Sequence, residues 1–197
     1  MHDFNGMEKI KNILEIKNLN LPMPETVFVF DLRKQEKEIE EFINGKEFVM
    51  IRSDKKGNRN NCPHNLKCHA NNAKSFIEKL NKEGFVAILQ EHVPFNAFFS
   101  GNVLLLKNKI IIEVMEGSPL TLMNRYGKVD EHLQIERFTR KEIKHYGKRV
   151  LTRNIFEKIL NLVEYLPIEN KILEFAVGPD WFYFWEIRDD KTGKMLK

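Results

Sequence analysis

The chain has 197 residues, 42% hydrophobic and 30% charged, with a formal net charge of +4. That is a globular mixture long enough to bury a core, in one domain or one domain with two lobes. It excludes a membrane-spanning run of about 18 apolar residues, and its two Cys, Cys62 and Cys68, exclude a disulfide-built secreted fold.

The first helix is expected over 7–18, where Met7, Ile10, Ile13 and Leu14 fall near helical spacing. Pro22 and Pro24 bar a helix and lead into a strand over 26–30. A charged helix over 35–43 turns Ile39, Phe42 and Ile43 to one face, and Asn44-Gly45 ends it. A strand over 48–51 follows. The polar stretch 55–72 is expected to be the least structured part, and a helix resumes at 73–81 with Ala73, Phe76, Ile77 and Leu80 on one side.

An uncharged strand covers 85–90. Strands over 103–106 and 110–115 flank Asn108 as a hairpin. A further strand is expected at 133–138, and 140–153 is read as basic and part helical. Asn154 with Glu157 three residues later has the pattern of a capping box, opening a helix to Tyr165. The chain closes on strands over 171–177 and 181–187 around Gly178-Pro179-Asp180. This order of mixed elements with late antiparallel hairpins reads as α+β, not as a doubly wound sheet.

Mild basicity suits an anionic ligand such as a nucleotide without requiring nucleic acid. The opening Met-His-Asp-Phe-Asn-Gly lacks the apolar region of a signal peptide, so the expected location is cytoplasmic.

The final hairpin carries the strongest constellation. Both of its strands are apolar, yet they contain Glu174, Glu186 and Arg188. A carboxylate buried there needs a cation, a hydrogen-bond partner or a metal. A three-residue turn sets Val177 opposite Trp181 and Glu174 opposite Phe184. Glu174, Glu186 and Arg188 then share one face, with the two carboxylates diagonal neighbours able to reach one divalent cation. A two-residue turn would split them. Magnesium suits such oxygen ligands. The alternative is an exposed salt-bridge cluster of the same three residues.

The wider order of motifs adds a resemblance. Pro22-Met-Pro-Glu-Thr-Val-Phe-Val, Phe48-Val-Met-Ile-Arg-Ser-Asp, Val86-Ala-Ile-Leu-Gln-Glu-His-Val, Ser100-Gly-Asn-Val-Leu, Ile111-Ile-Glu-Val-Met-Glu-Gly, Leu173-Glu-Phe-Ala and Trp185-Glu-Ile-Arg follow one another from about Leu21 to Arg188. This succession resembles the ATP-grasp superfamily, most nearly the nucleotide-binding domain of phosphoenolpyruvate synthase and pyruvate phosphate dikinase. The resemblance implies an N-terminal lobe over 1–90, a larger C-terminal lobe over 91–197 with an antiparallel sheet, and a nucleotide cleft between them. It implies ATP and Mg²⁺ as cofactors. Arg52 would reach the phosphates, Gln90, Glu91 and Val93 would meet the adenine edge, and Glu113 and Glu116 would border ribose or phosphates. Glu174 and Glu186 would hold the metal, with Arg188 as the cation of the family's terminal pattern. The activity implied is that of an ATP-dependent ligase or phosphotransferase with an unknown small-molecule or protein acceptor. The alternatives are a non-catalytic nucleotide-binding regulatory module and a basic RNA-binding protein.

The chain departs from the family after Arg52, where a short Asn, Lys, Cys and His loop replaces a longer Gly-rich segment. Cys62, His64, Cys68 and His69 could supply zinc ligands, but their spacing matches no common structural site. A polar loop over the phosphates, with Lys55, Lys56, Arg59 and His64 as contacts, is the preferred expectation. Seven Lys or Arg lie between Arg137 and Arg153. Among them Arg140, Lys141, Lys144, Lys148 and Arg149 could meet the phosphates of a nucleotide or RNA. Only Phe138 and Tyr146 in this stretch could stack on bases.

Overall fold

Two compact units divide the chain, one made of residues 1–14 and 24–93 and the other of 15–23 and 94–197. The structure, a computed structural model, describes residues 4–57, 62–94, 96–117 and 129–190. Helix α1 (Glu8–Asn18) contributes residues to both units.

The first unit is built on strands β1 (Thr26–Val29), β2 (Phe48–Asp54), β3 (Asn65–His69) and β4 (Val86–Glu91), in the order β1-β4-β2-β3 with every neighbour antiparallel. Period-two alternation sends Val29, Val49, Ile51, Ala87 and Leu89 to one face, where they pack with Ile39 and Phe42 of α2 (Glu36–Ile43) and Ala73, Ile77 and Leu80 of α3 (Ala70–Lys82). Burying each of the larger aliphatic side chains contributes about 1.5–3 kcal/mol. The opposite face carries Thr26, Phe28, Met50, Arg52, Ile88 and Gln90.

The second unit contains β5 (Phe99–Leu105), β6 (Lys109–Glu116), β7 (Glu131–Glu136), β8 (Glu142–Gly147), β9 (Lys171–Val177) and β10 (Phe182–Asp189). They form one antiparallel sheet in the order β10-β9-β5-β6-β7-β8. One face packs Val103, Ile112, Leu133, Leu173, Phe175 and Phe184 against Ile159, Leu160 and Val163 of α4 (Arg153–Val163). Gly101 belongs to this face because the Phe175 ring lies over it. A Cβ there would stand 2.9 Å from that ring and 2.3 Å from the Glu113 carbonyl oxygen.

Several expectations are corrected. The polar stretch before α3 contains β3, which pairs with β2. The helix after it opens at Ala70, not Ala73, because the His69 ring accepts from the Asn71 N–H and caps it. The basic stretch 140–153 forms β8 and not a helix. The buried Glu131 carboxylate fastens it, accepting from the Val150 and Leu151 N–H groups at 2.8 and 2.9 Å and meeting His145 at 3.2 Å. The cap of α4 is Thr152, whose hydroxyl accepts from the Ile155 N–H, and not Asn154.

The last hairpin also has a different register. Val177 pairs with Phe182 and Phe175 with Phe184, so Glu174 does not face Phe184. Continued regularly, that register would set Glu174 against Trp185 and turn Glu186 to the opposite face. A bulge between Phe184 and Glu186 shifts the ladder by one residue, and Glu174 pairs directly with Glu186. The bulge lets Phe182, Phe184 and Ile187 enter the core while Glu186 stays beside Glu174.

Candidate functional site

The second unit's sheet has a polar row on the face opposite its core. The ladders align Glu186, Glu174, Asn102, Glu113, His132 and Tyr146 across all six strands. Directly opposed residues of this kind have Cβ atoms about 4.5–5.5 Å apart. The next row on the same face is partly apolar, with Ile172, Leu104 and Ile111 packed together. The carboxylates therefore stand beside a dry patch.

Arg188 Nη1 donates to Glu174 Oε1. One ion pair of the alternative salt-bridge cluster, Arg188 with Glu174, is therefore present, and both residues are partly exposed. Asn102 lies between Glu174 and Glu113, and its buried Oδ1 has no hydrogen-bond partner. A buried, unsatisfied acceptor costs about 1–3 kcal/mol. On the other side, Glu113 Oε1 lies 3.2 Å from His132 Nδ1, and Gln134 Nε2 lies 3.2 Å from His132 Nε2. The amide nitrogen of Gln134 can only donate, so His132 Nε2 accepts and Nδ1 carries the proton toward Glu113.

Glu116 does not join this row. It is three residues from Glu113, hence on the other face, and is exposed in an ion pair with Lys148 at 3.1 Å. Asn102, His132 and Gln134 had no assigned role in the sequence reading. Their signal was a polar residue at an alternating position inside an apolar strand.

In the first unit, Arg52 pairs with Ile88 and Gln90 with Met50. Arg52 and Gln90 are thus diagonal neighbours on one face. Gln90 is buried. Its Nε2 donates to Thr26 Oγ1 at 3.0 Å, and its Oε1 has no hydrogen-bond partner. Glu91 points to the other face, where its carboxylate lies 3.5 Å from the Glu25 N–H. Val93 is buried. The His92 ring packs against Phe48, and burial, then the Lys67 charge, holds its pKa below the usual imidazole value.

The Cys and His residues do not converge. Cys68 lies in the first unit's hydrophobic core, burial pushes its thiol pKa up, and the adjacent His69 ring caps α3. Among the described residues no group of three or more His, Cys, Asp or Glu could hold a metal. Zinc therefore has no ligand set there. Magnesium asks less, one or two carboxylates plus substrate phosphates. The paired Glu174 and Glu186, with the orphaned Asn102 oxygen alongside, fit that demand. Of the polar-loop contacts, Lys55 donates to the Glu83 carbonyl at 2.9 Å, His64 lies 3.4 Å from the Cys62 carbonyl, and Arg59 lies outside the described residues.

Most of the basic stretch is engaged within the second unit. Arg140 binds Glu164, Glu157 and Asn161, Arg149 binds Glu142, and Lys148 binds Glu116. Hydrogen bonding to Glu164 raises the Arg140 pKa further above its ordinary value.

No protein-family model and no curated protein sequence matches the chain. Solved structures do. D-alanyl-alanine synthetase A from Vibrio cholerae aligns with a TM-score of 0.60 at 14% identity over 98% of this chain and 59% of its own. A RimK domain ATP-grasp protein from Sphaerobacter thermophilus gives 0.53 at 13% identity over 97% and 61%. A RiPP-associated ATP-grasp ligase from Chryseobacterium gregarium, solved with ADP and a leader and core peptide, gives 0.55 at 12% identity over 93% and 52%. The chain thus has the ATP-grasp fold, and it spans between about half and three fifths of the length of these relatives. Among the described residues no helix is long and apolar enough to cross a membrane.

Proposed function

We propose that the chain is a Mg-ATP-dependent ligase or phosphotransferase of ATP-grasp type. The observation that carries this reading is the in-register row Glu186–Glu174–Asn102–Glu113 with its unsatisfied oxygen. Glu174 and Glu186 would hold Mg²⁺, which neutralises phosphate charge when bound. Arg188, anchored on Glu174, and Arg52 on β2 supply cations for phosphoryl oxygens, a role suited to the guanidinium fork. The buried Gln90 oxygen is an acceptor for an exocyclic amine such as that of adenine, with Glu91 and Val93 following it in the chain. Glu113, oriented by His132, is an acceptor for ribose hydroxyls; the salt-bridged Glu116 was expected to share that role. The likeness to phosphoenolpyruvate synthase and pyruvate phosphate dikinase rests on the strand motifs alone. The acceptor is a small molecule or a peptide, as in the relative solved with a leader and core peptide.

The test is ATP affinity with and without Mg²⁺ in wild type and Glu186→Gln. The variant should lose most of the Mg²⁺-dependent gain and keep metal-free affinity. Equal loss in both conditions would remove the metal role from Glu186.

A further inference from the structure

At one end of the second unit's sheet lies a cavity of about 640 Å³. It is bounded by the β5–β6 turn at Lys107 and Asn108, by Phe138 after β7, and by the segment 164–169 after α4. Lys109 is four residues along β6 from Glu113. At about 3.4 Å per residue this sets the cavity's end of the sheet roughly 14 Å from the carboxylate row.

The wall of this cavity is built around Arg137, which is 4% exposed. Its guanidinium donates to the carbonyls of Leu106, Glu164, Leu166 and Ile168. Those bonds satisfy carbonyls at the end of α4 and tie the segment bearing Tyr165 to the turn bearing Lys107. The same guanidinium lies 5.6 Å from the Phe138 ring centre. Two aromatic side chains are thus carried by a fixed frame, yet Phe138 is 59% and Tyr165 75% exposed. Their ring centres are 6.5 Å apart with planes tilted by 33°. Lys107 and Asn108 are exposed on the rim, and Lys107 has no ion-pair partner among the described residues.

Aromatic rings that stay in water on a rigid frame lose little entropy when a flat ligand covers them. A free ammonium beside them selects an anion, and a side-chain amide can read the edge of a base. We propose that this cavity binds a nucleotide, its base against Phe138 and Tyr165 and its phosphate at Lys107. The nucleotide is either free or part of a single strand of RNA. The cavity's volume lies within the range of small-ligand sites. Arg140, Lys148 and Arg149 are engaged in internal ion pairs and Arg137 in bonds to carbonyls, so the rings and Lys107 carry the recognition.

The test is calorimetric titration with AMP and with an unlabelled single-stranded RNA octamer, in wild type, Phe138→Ala, Tyr165→Ala and Tyr165→Trp. Loss of one base stack should weaken binding roughly five- to 150-fold in each alanine variant. Tyr165→Trp should retain affinity, and both alanine variants should keep the Mg²⁺-dependent gain in ATP affinity, which separates this site from the proposed Mg-ATP residues. RNA binding tighter than AMP assigns a strand, and equal affinity assigns a free nucleotide. Because both rings are exposed, the alanine variants should keep the wild-type melting temperature. Wild-type affinity in a Phe138→Ala/Tyr165→Ala double variant would overturn the proposal. So would equal binding of an abasic ribose-phosphate oligomer, or binding of a tyrosine-containing peptide but of neither AMP nor RNA.

Discussion

Asn102 carries a stability cost at the scale of a single residue. Its Oδ1 is buried without a partner between two carboxylate-bearing strands. Replacing such a group by an apolar one of similar shape removes the cost of the unmet acceptor. Asn102→Leu should therefore leave the melting temperature unchanged or raise it while abolishing the Mg²⁺-dependent part of ATP binding. A lower melting temperature with Mg²⁺ dependence intact would make Asn102 a packing residue. His92 makes a second prediction at this scale. Its pKa lies below the ordinary imidazole value, so the folded state takes up a proton less readily than the unfolded chain. Its stability contribution is complete above pH 6.5 and is lost as pH falls toward the folded value. Thermal melts between about pH 7 and 5.5, above the range where most carboxylates titrate, should show a falling Tm in wild type and a flatter profile in His92→Gln.

The elements were legible in proportion to the apolar periodicity of their segments. Strands β4 and β9 and the middle of β6 are largely buried and could be read directly. Strand β3 is Asn-Leu-Lys-Cys-His, with only Cys68 buried, and β8 is exposed along nearly its whole length. Neither alternates strongly enough to be seen from sequence, since partners distant in the chain supply their ladders. The bulge before Glu186 was equally invisible, because it follows from which aromatic residues the core accepts. The shared face of Glu174 and Glu186 was expected from a three-residue turn, but it arises from that bulge. The helix cap gives a direct comparison of the two readings. Thr152 accepts from the Ile155 N–H at 3.4 Å, whereas Asn154 lies inside the helix. Thr152→Ala should cost about 1 kcal/mol in urea unfolding, as for other N-caps, while Asn154→Ala should be close to neutral. The reverse result would restore the capping box at Asn154.

At the scale of the molecule, the order of short motifs was more informative than any one of them. Seven segments in sequence implied the ATP-grasp fold, which the structural relatives show at 12–14% identity. The candidate site was half legible. Its charged residues stand out in apolar strands, but Asn102 and His132 gain meaning only when the ladders align them with Glu174 and Glu113. The functional reading makes a prediction about the whole chain, because a ligand that binds only the native state must stabilise it. At 100 times its Kd, Mg-ATP adds about 2.7 kcal/mol. For a chain of this size each kcal/mol moves Tm by about 2–4 °C, so the expected rise is roughly 5–11 °C. Mg²⁺ without nucleotide should give little of this, since two carboxylates without phosphates leave most of its coordination to water. A ligase or phosphotransferase and a regulatory module share the shift, but only the enzyme releases ADP when an acceptor is supplied. If saturating Mg-ATP left the melting temperature unmoved, the carboxylate row would be reduced to the Glu174–Arg188 salt bridge and its neighbours, and the fold would be serving another ligand.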